Sequence, residues 1–249
     1  MITLLKYEIY RRWKWLVIRY AALIILGLIF FNRASASPMQ YDIIAASMGK
    51  FFLISIVVFA IIIVEGINML KEDLFEQSGY LTFTIPRKGR TILFSKLTLL
   101  FLQLILWTIV SIKFGLMFFS KFPYQEISRI TSQIDFSFYP TILFILTAFF
   151  NFVLMVHLSL TLTKTLLVNK KYSGLLSIGI FFLLAYLIEN FYYGPFLNQI
   201  KHAYIEIGTS SASNIDLLSG GYTAVFLNII LTIIFFTATA YLLENKINI

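Results

Sequence analysis

Cysteine is absent and histidine occurs only as His157 and His202. The first absence excludes a disulfide framework, a thiolate nucleophile and any cysteine-ligated zinc or iron–sulfur site. Two isolated imidazoles are too few to found a metal centre. Charge is scarce as well: 13% of the 249 residues are charged while 59% are apolar, against about 25% charged in an ordinary soluble domain. Too little polar surface remains to coat a globule, so the composition describes a membrane protein. Catalytic motifs are missing too. Gly49-Lys50 lacks the upstream glycine of a phosphate loop and is followed by Phe51, and neither G-x-S-x-G nor H-E-x-x-H occurs. The chain itself is therefore expected to catalyse nothing and to bind no cofactor or metal.

What is present is apolar sequence in long runs. A hydrocarbon core about 30 Å thick needs about 20 apolar residues at a rise of about 1.5 Å each. Six stretches qualify: Leu16 to Phe31, Phe51 to Leu70, Ile92 to Phe119, Phe138 to Thr163, Gly174 to Phe191 and Tyr222 to Leu243. The predicted fold class is an all-α integral membrane protein of six transmembrane helices in one transmembrane domain, 1–249. Basic residues set its orientation. Lys6, Arg11, Arg12, Lys14, Lys71, Arg87, Lys88, Arg90, Lys164, Lys170, Lys171 and Lys246 fall on one side, against Arg33, Lys50, Lys121, Arg129 and Lys201 on the other. Both termini are expected in the cytoplasm. The net charge of +8 is then mostly topology, and nucleic acid is not an expected partner, because phosphate binding needs a basic stripe on a soluble face. A basic start, an apolar run and Ala34-Ser35-Ala36 imitate a cleaved secretory signal, but Arg33 abuts that site, so retention is expected.

Two segments outside the spans carry pattern. In residues 1–15, Ile2, Leu5, Ile9 and Trp13 recur at helical spacing towards Leu16, while Lys6, Tyr10, Arg11 and Lys14 lie off that stripe. This predicts an amphipathic helix on the inner leaflet, with Ile9, Arg11, Arg12 and Trp13 meeting membrane lipid before the chain turns into span one. The second segment, KEDLFEQSGYLTFTIPRKGRTILFSK, begins at Lys71. Glu72 and Asp73 favour a helix start, Leu74 and Phe75 extend an apolar ridge from Leu70, Glu76 and Gln77 project elsewhere, and Gly79 stops the helix. The spacing predicts a short exposed helix over residues 71–79, a plausible knob for a partner protein. An ordinary structured loop is the competing reading.

The run E-x-S-G-Y-L-x-F-x-I-P-x-x-G-R-x-x-x-x-x-K, from Glu76 to Lys96, together with the N-terminal helix and six spans, resembles the bacterial ABC type 2 export permeases. The resemblance implies that residues 71–79 form a cytoplasmic coupling helix seated in a groove of a separate ATPase. Glu72, Asp73, Leu74, Phe75, Glu76, Gln77 and Tyr80 then become ATPase-coupling residues. It also implies two ABC ATPase subunits that hold ATP and Mg, a second permease copy, and a bacterial cell-membrane location. Within that family the chain is similar to the permeases of phenol-soluble-modulin and antimicrobial-peptide exporters. Leu218-Ser219-Gly220-Gly221 imitates an ATPase signature, but no nucleotide fold surrounds it, and it reads as a helix-start turn.

Polar groups inside spans are costly and normally face protein or water. Glu65 and Asn68 are candidates for a substrate path. Asn151 and His157 are expected to hydrogen-bond between helices, and Lys113 to extend its ammonium outward. Ser173, Ser177 and Gly179 offer a small surface for packing against a second copy. Residues 192–221 form an outer loop with room for a re-entrant helix. Nearly uncharged, aromatic-rich spans favour an apolar or amphipathic substrate such as a peptide. The alternative from another class is a membrane scaffold or sensor that docks a cytoplasmic partner without transport.

Overall fold

The computed structural model describes residues 2–36, 41–75, 88–121, 138–166, 173–190 and 217–245. Six α-helices account for nearly all of them: α1 (Ile2–Ser35), α2 (Tyr41–Phe75), α3 (Gly89–Phe119), α4 (Phe138–Leu166), α5 (Ser173–Ile188) and α6 (Leu217–Asn245), with no strand among the described residues. Five of these, all but α5, are long and apolar enough to cross a membrane. The chain is a multi-pass membrane protein. Helices suit this environment because each satisfies its own backbone hydrogen bonds where no water is available.

Three expectations from sequence are altered. The predicted fifth span is an apolar helix of 16 residues, roughly 24 Å long and short of the core at a rise of about 1.5 Å per residue. The N-terminal segment is not separated from span one by a turn: Ile2–Ser35 is one uninterrupted helix of 34 residues. Nor do Glu72 and Asp73 start a new helix. They lie in the last turn of α2, which begins at Tyr41 and runs to Phe75. Extending an existing helix adds one hydrogen bond per residue, whereas nucleating a new one fixes several residues for a single bond. Propagation therefore overrides the acidic start signal. Glu76, Gln77 and Tyr80 lie outside the described residues, as does the outer loop up to residue 216. Leu217 opens α6, so Leu218 to Gly221 form a helix start.

The chain divides into two units, Met1–Met69 with Thr91–Ile134, and Leu70–Arg90 with Asp135–Ile249. In the first, α2 runs antiparallel to α1 and α3. Two glycines permit close approach there. A Cβ on Gly27 would stand 2.6 Å from the Phe114 ring, and one on Gly66 would stand 2.9 Å from Leu100. Towards the end of α1 the core is aromatic, with Phe51 packed on Phe114 and Phe118 at centroid distances of 5.0 and 5.9 Å, and Phe31 edge-on to Phe118.

In the second unit α4 packs along α6 and against α5. A buried amide seam joins the first pair. Asn151 Nδ2 donates to the Asn228 backbone oxygen at 3.0 Å and to Asn228 Oδ1 at 2.7 Å, and the Thr232 hydroxyl donates to Asn151 Oδ1 at 2.8 Å. Asn151 is thus an interhelical hydrogen-bonding residue. His157 is buried on the same helix.

Candidate functional site

Charged side chains are expensive within an apolar bundle unless they are paired. The first unit resolves this cost in layers along its length. Near the start of α1, Glu8 is buried and accepts from the buried Lys96 of α3, with Nζ to Oε1 at 2.8 Å. The same ammonium donates to the Met69 backbone oxygen of α2 at 2.8 Å. One lysine therefore ties three helices together. Arg11 and Arg12 reach back towards Glu8 at 3.4 and 3.7 Å, one turn away on their own helix.

The second layer lies deeper. Arg19 of α1 pairs with Glu65 of α2 through Nη2 and Oε2, both side chains being close to nine-tenths buried. Gln103 Nε2 of α3 donates to the other carboxylate oxygen at 3.3 Å, and the Tyr20 hydroxyl donates to the Gln103 backbone oxygen at 2.6 Å. A third layer is uncharged: Ser55 and Ser111 share a hydrogen bond of 2.8 Å, and Trp107 Nε1 donates to the Ser55 backbone oxygen at 3.0 Å. Polarity falls from ionic to neutral to aromatic along α1.

Of the two path candidates, Glu65 is thus engaged by Arg19 and Gln103, while Asn68 is half-buried on the next turn of α2. Lys113 is exposed, as its outward extension requires. On the N-terminal helix the residues expected to meet lipid divide, Arg12 being buried and Arg11 half-buried. Ile9 and Trp13 are exposed, whereas Leu4, Glu8 and Arg12 are buried. The interior at this end is ionic, so pairing with Lys96 decides which face turns inward.

Residues 70–75 and 88–90, the described residues around the end of α2 and the start of α3, pack within the second unit. Phe75, in the last turn of α2, lies beneath Lys164 of α4, whose ammonium is 5.6 Å from the ring centroid. Asp73 and Leu74 are buried beside it, and Glu72 is half-buried. Gly89 opens α3 against the backbone of α6. A Cβ there would stand 2.8 Å from the Ala240 carbonyl oxygen and 3.0 Å from the Glu244 nitrogen. The glycine and the final lysine of the sequence run thus have separate structural tasks, close backbone approach for Gly89 and ion pairing for Lys96.

The small surface on α5 divides between two faces. Ser177 is buried with its hydroxyl 3.4 Å from that of Ser159 on α4, so it packs within the chain. Gly179 is exposed, and a Cβ there would meet nothing within 4 Å. Ser173 opens α5, and its side chain lies outside the described residues.

Sequence reasoning missed the Glu8–Lys96 and Arg19–Glu65 pairs. The signal was available. Arg19, Glu65 and Lys96 are charges set within or beside apolar runs, and each needs an opposite charge at the same depth. Among the described residues no group of three or more His, Asp or Glu side chains converges to hold a metal ion. No family model, no curated protein and no solved structure matches the chain.

Proposed function

We propose that the chain is the transmembrane permease subunit of an ATP-driven ABC exporter, with both termini in the cytoplasm of a bacterial cell, moving an amphipathic or hydrophobic substrate such as a peptide outward. In this reading two copies of the chain, as a homodimer or a related heterodimer, work with two ABC ATPase subunits that bind ATP and Mg. In the same reading α5 takes the place of the sixth crossing.

The observation that carries the reading is the run from Glu72 to Lys96, with Phe75 and Gly89 set against the helices of the second unit. Phe75 lies beneath Lys164 of α4 and Gly89 lies against the backbone of α6, so the described residues of this run rest on those two helices. An ATPase docked on this run through Phe75, Glu76 and Tyr80 delivers its push to those two helices. ATP binding then shifts the population between inward-closed and outward-releasing states through contacts that differ between them.

Phe75→Ala combined with Glu76→Ala tests this. The permease inserts normally, but removal of a packed aromatic and its neighbouring charge weakens ATPase docking. At a hot spot this costs on the order of 2 kcal/mol, roughly a thirtyfold loss of affinity. ATPase binding and transport equal to those of the unsubstituted chain reject the coupling role.

A second reading, a non-transporting membrane scaffold or sensor, draws support from the engagement of Glu65 by Arg19 and Gln103, which leaves that carboxylate committed to helix packing. ATPase binding without vectorial movement of any peptide in sealed vesicles favours it.

A further inference from the structure

The first turns of α1 carry a second face, opposite the ion pairs. At about 100° per residue, Lys6, Tyr7, Tyr10, Trp13 and Lys14 fall within roughly one third of the helix circumference. All are exposed, Tyr7 by 47%, Tyr10 by 77% and Trp13 by 46%. Glu8, the one acid of this stretch, faces away, held by Lys96 and attended by Arg11 and Arg12. Among the described residues no carboxylate stands within ion-pair distance of Lys6 or Lys14. The outward face is therefore cationic and aromatic with no acid of its own.

Its depth is set by helix length. A helix of 34 residues is roughly 50 Å long and exceeds a core of about 30 Å by several turns. The apolar run of this helix begins at Leu16 and holds one charge, the paired Arg19, so residues 6–14 emerge at headgroup level, where Tyr and Trp rings are favoured. Lys6, Tyr10 and Lys14 occupy successive turns, about 6 Å apart.

We propose that this face is a recognition site for the headgroup of an anionic phospholipid. The Tyr10 hydroxyl and the Lys14 ammonium bracket the lipid phosphate, Lys6 meets further negative charge in the adjacent headgroup zone, and Trp13 packs against the glycerol and upper acyl chain. A zwitterionic lipid brings its own cation towards the two lysines and is disfavoured. The site goes beyond the exporter reading and does not depend on it.

The test uses the full chain carrying Trp15→Phe and Trp107→Phe, which leaves Trp13 alone of the 3 tryptophans. It is reconstituted into phosphatidylcholine vesicles containing increasing fractions of brominated phosphatidylglycerol or, separately, brominated phosphatidylcholine. Trp13 quenching should report an anionic preference of roughly fivefold or more, since one lysine near an anionic surface is worth about fivefold in binding. The preference should fall as ionic strength rises, disappear in Lys6→Gln/Lys14→Gln, and return in Lys6→Arg/Lys14→Arg. Equal quenching by the two lipids, a preference insensitive to salt, or one retained by the glutamine variant overturns the proposal. The salt titration is made on unsubstituted lysines, so it decides the matter even where the glutamine variant fails to insert.

Discussion

Replacing Arg19 by methionine removes the guanidinium from a carboxylate whose side chain is only 12% exposed. Gln103 then remains as a neutral donor to Glu65 at 3.3 Å. Stripping one partner from a buried ion pair costs about 3–5 kcal/mol, because the other charge stays desolvated without compensation. The surviving amide places this case near the lower end, at about 3 kcal/mol. Glu65→Met strands the guanidinium instead, but Arg19 keeps the neighbouring Tyr20 ring at 5.7 Å and has a long stem with which to seek water, so a loss of about 2 kcal/mol is expected. The double variant Arg19→Met/Glu65→Met leaves neither charge in the bundle. Two apolar side chains of suitable volume replace a pair whose attraction mainly offsets its own desolvation. Its stability should lie within about 1 kcal/mol of the original chain, so the cycle shows a coupling of about 4 kcal/mol. Equilibrium unfolding in mixed detergent micelles of rising dodecyl sulfate fraction, followed by helical ellipticity, measures all four proteins. A double variant destabilised by the sum of the two single losses refutes the claim that the charges are held for one another.

Other sites give independent checks. Gly27→Ala should cost about 1–3 kcal/mol in the same unfolding assay, because its Cβ would meet the Phe114 ring at 2.6 Å, and adding Phe114→Leu should recover most of that loss. Gly89→Ala meets α6 backbone that has no flexible end to withdraw, so no side-chain trimming on α6 should rescue it. Asn151→Leu leaves the Thr232 hydroxyl and the Asn228 amide without their cross-helix partner. A loss of about 0.6–1.7 kcal/mol is expected, as for other hydrogen bonds within bilayers. For topology, single cysteines replacing the exposed Lys14 and Lys88 should be shielded from an impermeant external thiol reagent, while cysteines replacing Gln125 and Ser211 label. Labelling at position 88 from outside reverses the orientation.

Hydropathy located the long helices well because crossing the core is a matter of length and transfer energy, both readable one residue at a time. Their ends were less legible. Asp42 and Lys50 interrupt the apolar count, yet α2 already begins at Tyr41, since backbone hydrogen bonding is indifferent to side-chain charge once a helix is under way. The same continuity carries α2 through Glu72 and Asp73 and joins the N-terminal segment to span one. The inward face of α1 was illegible for another reason. An apolar stripe through Ile9 and Trp13 marks the face that meets lipid but does not name what turns inward, and here Lys96, 88 residues away in sequence, draws Glu8 inward. For the candidate site, sequence marked Glu65 as costly in the membrane but not Arg19 as its partner, 46 positions distant. Depth-matching of opposite charges is the constraint that connects them. Asn151 was legible because an amide in a span has few alternatives to a neighbouring helix.

The central claim, that this chain is the membrane half of an ATP-driven exporter, is tested most directly by the composition of the complex it forms. The tagged chain is extracted from its native membrane in mild detergent, and the intact assembly is weighed by native mass spectrometry. The account predicts two permease chains, this one paired with itself or a close relative, and two subunits carrying a phosphate-loop ATPase fold, with ATP hydrolysis recovered in the same fraction. A chain that purifies without any ATP-hydrolysing subunit, or a single permease bound to an ATPase pair, contradicts it.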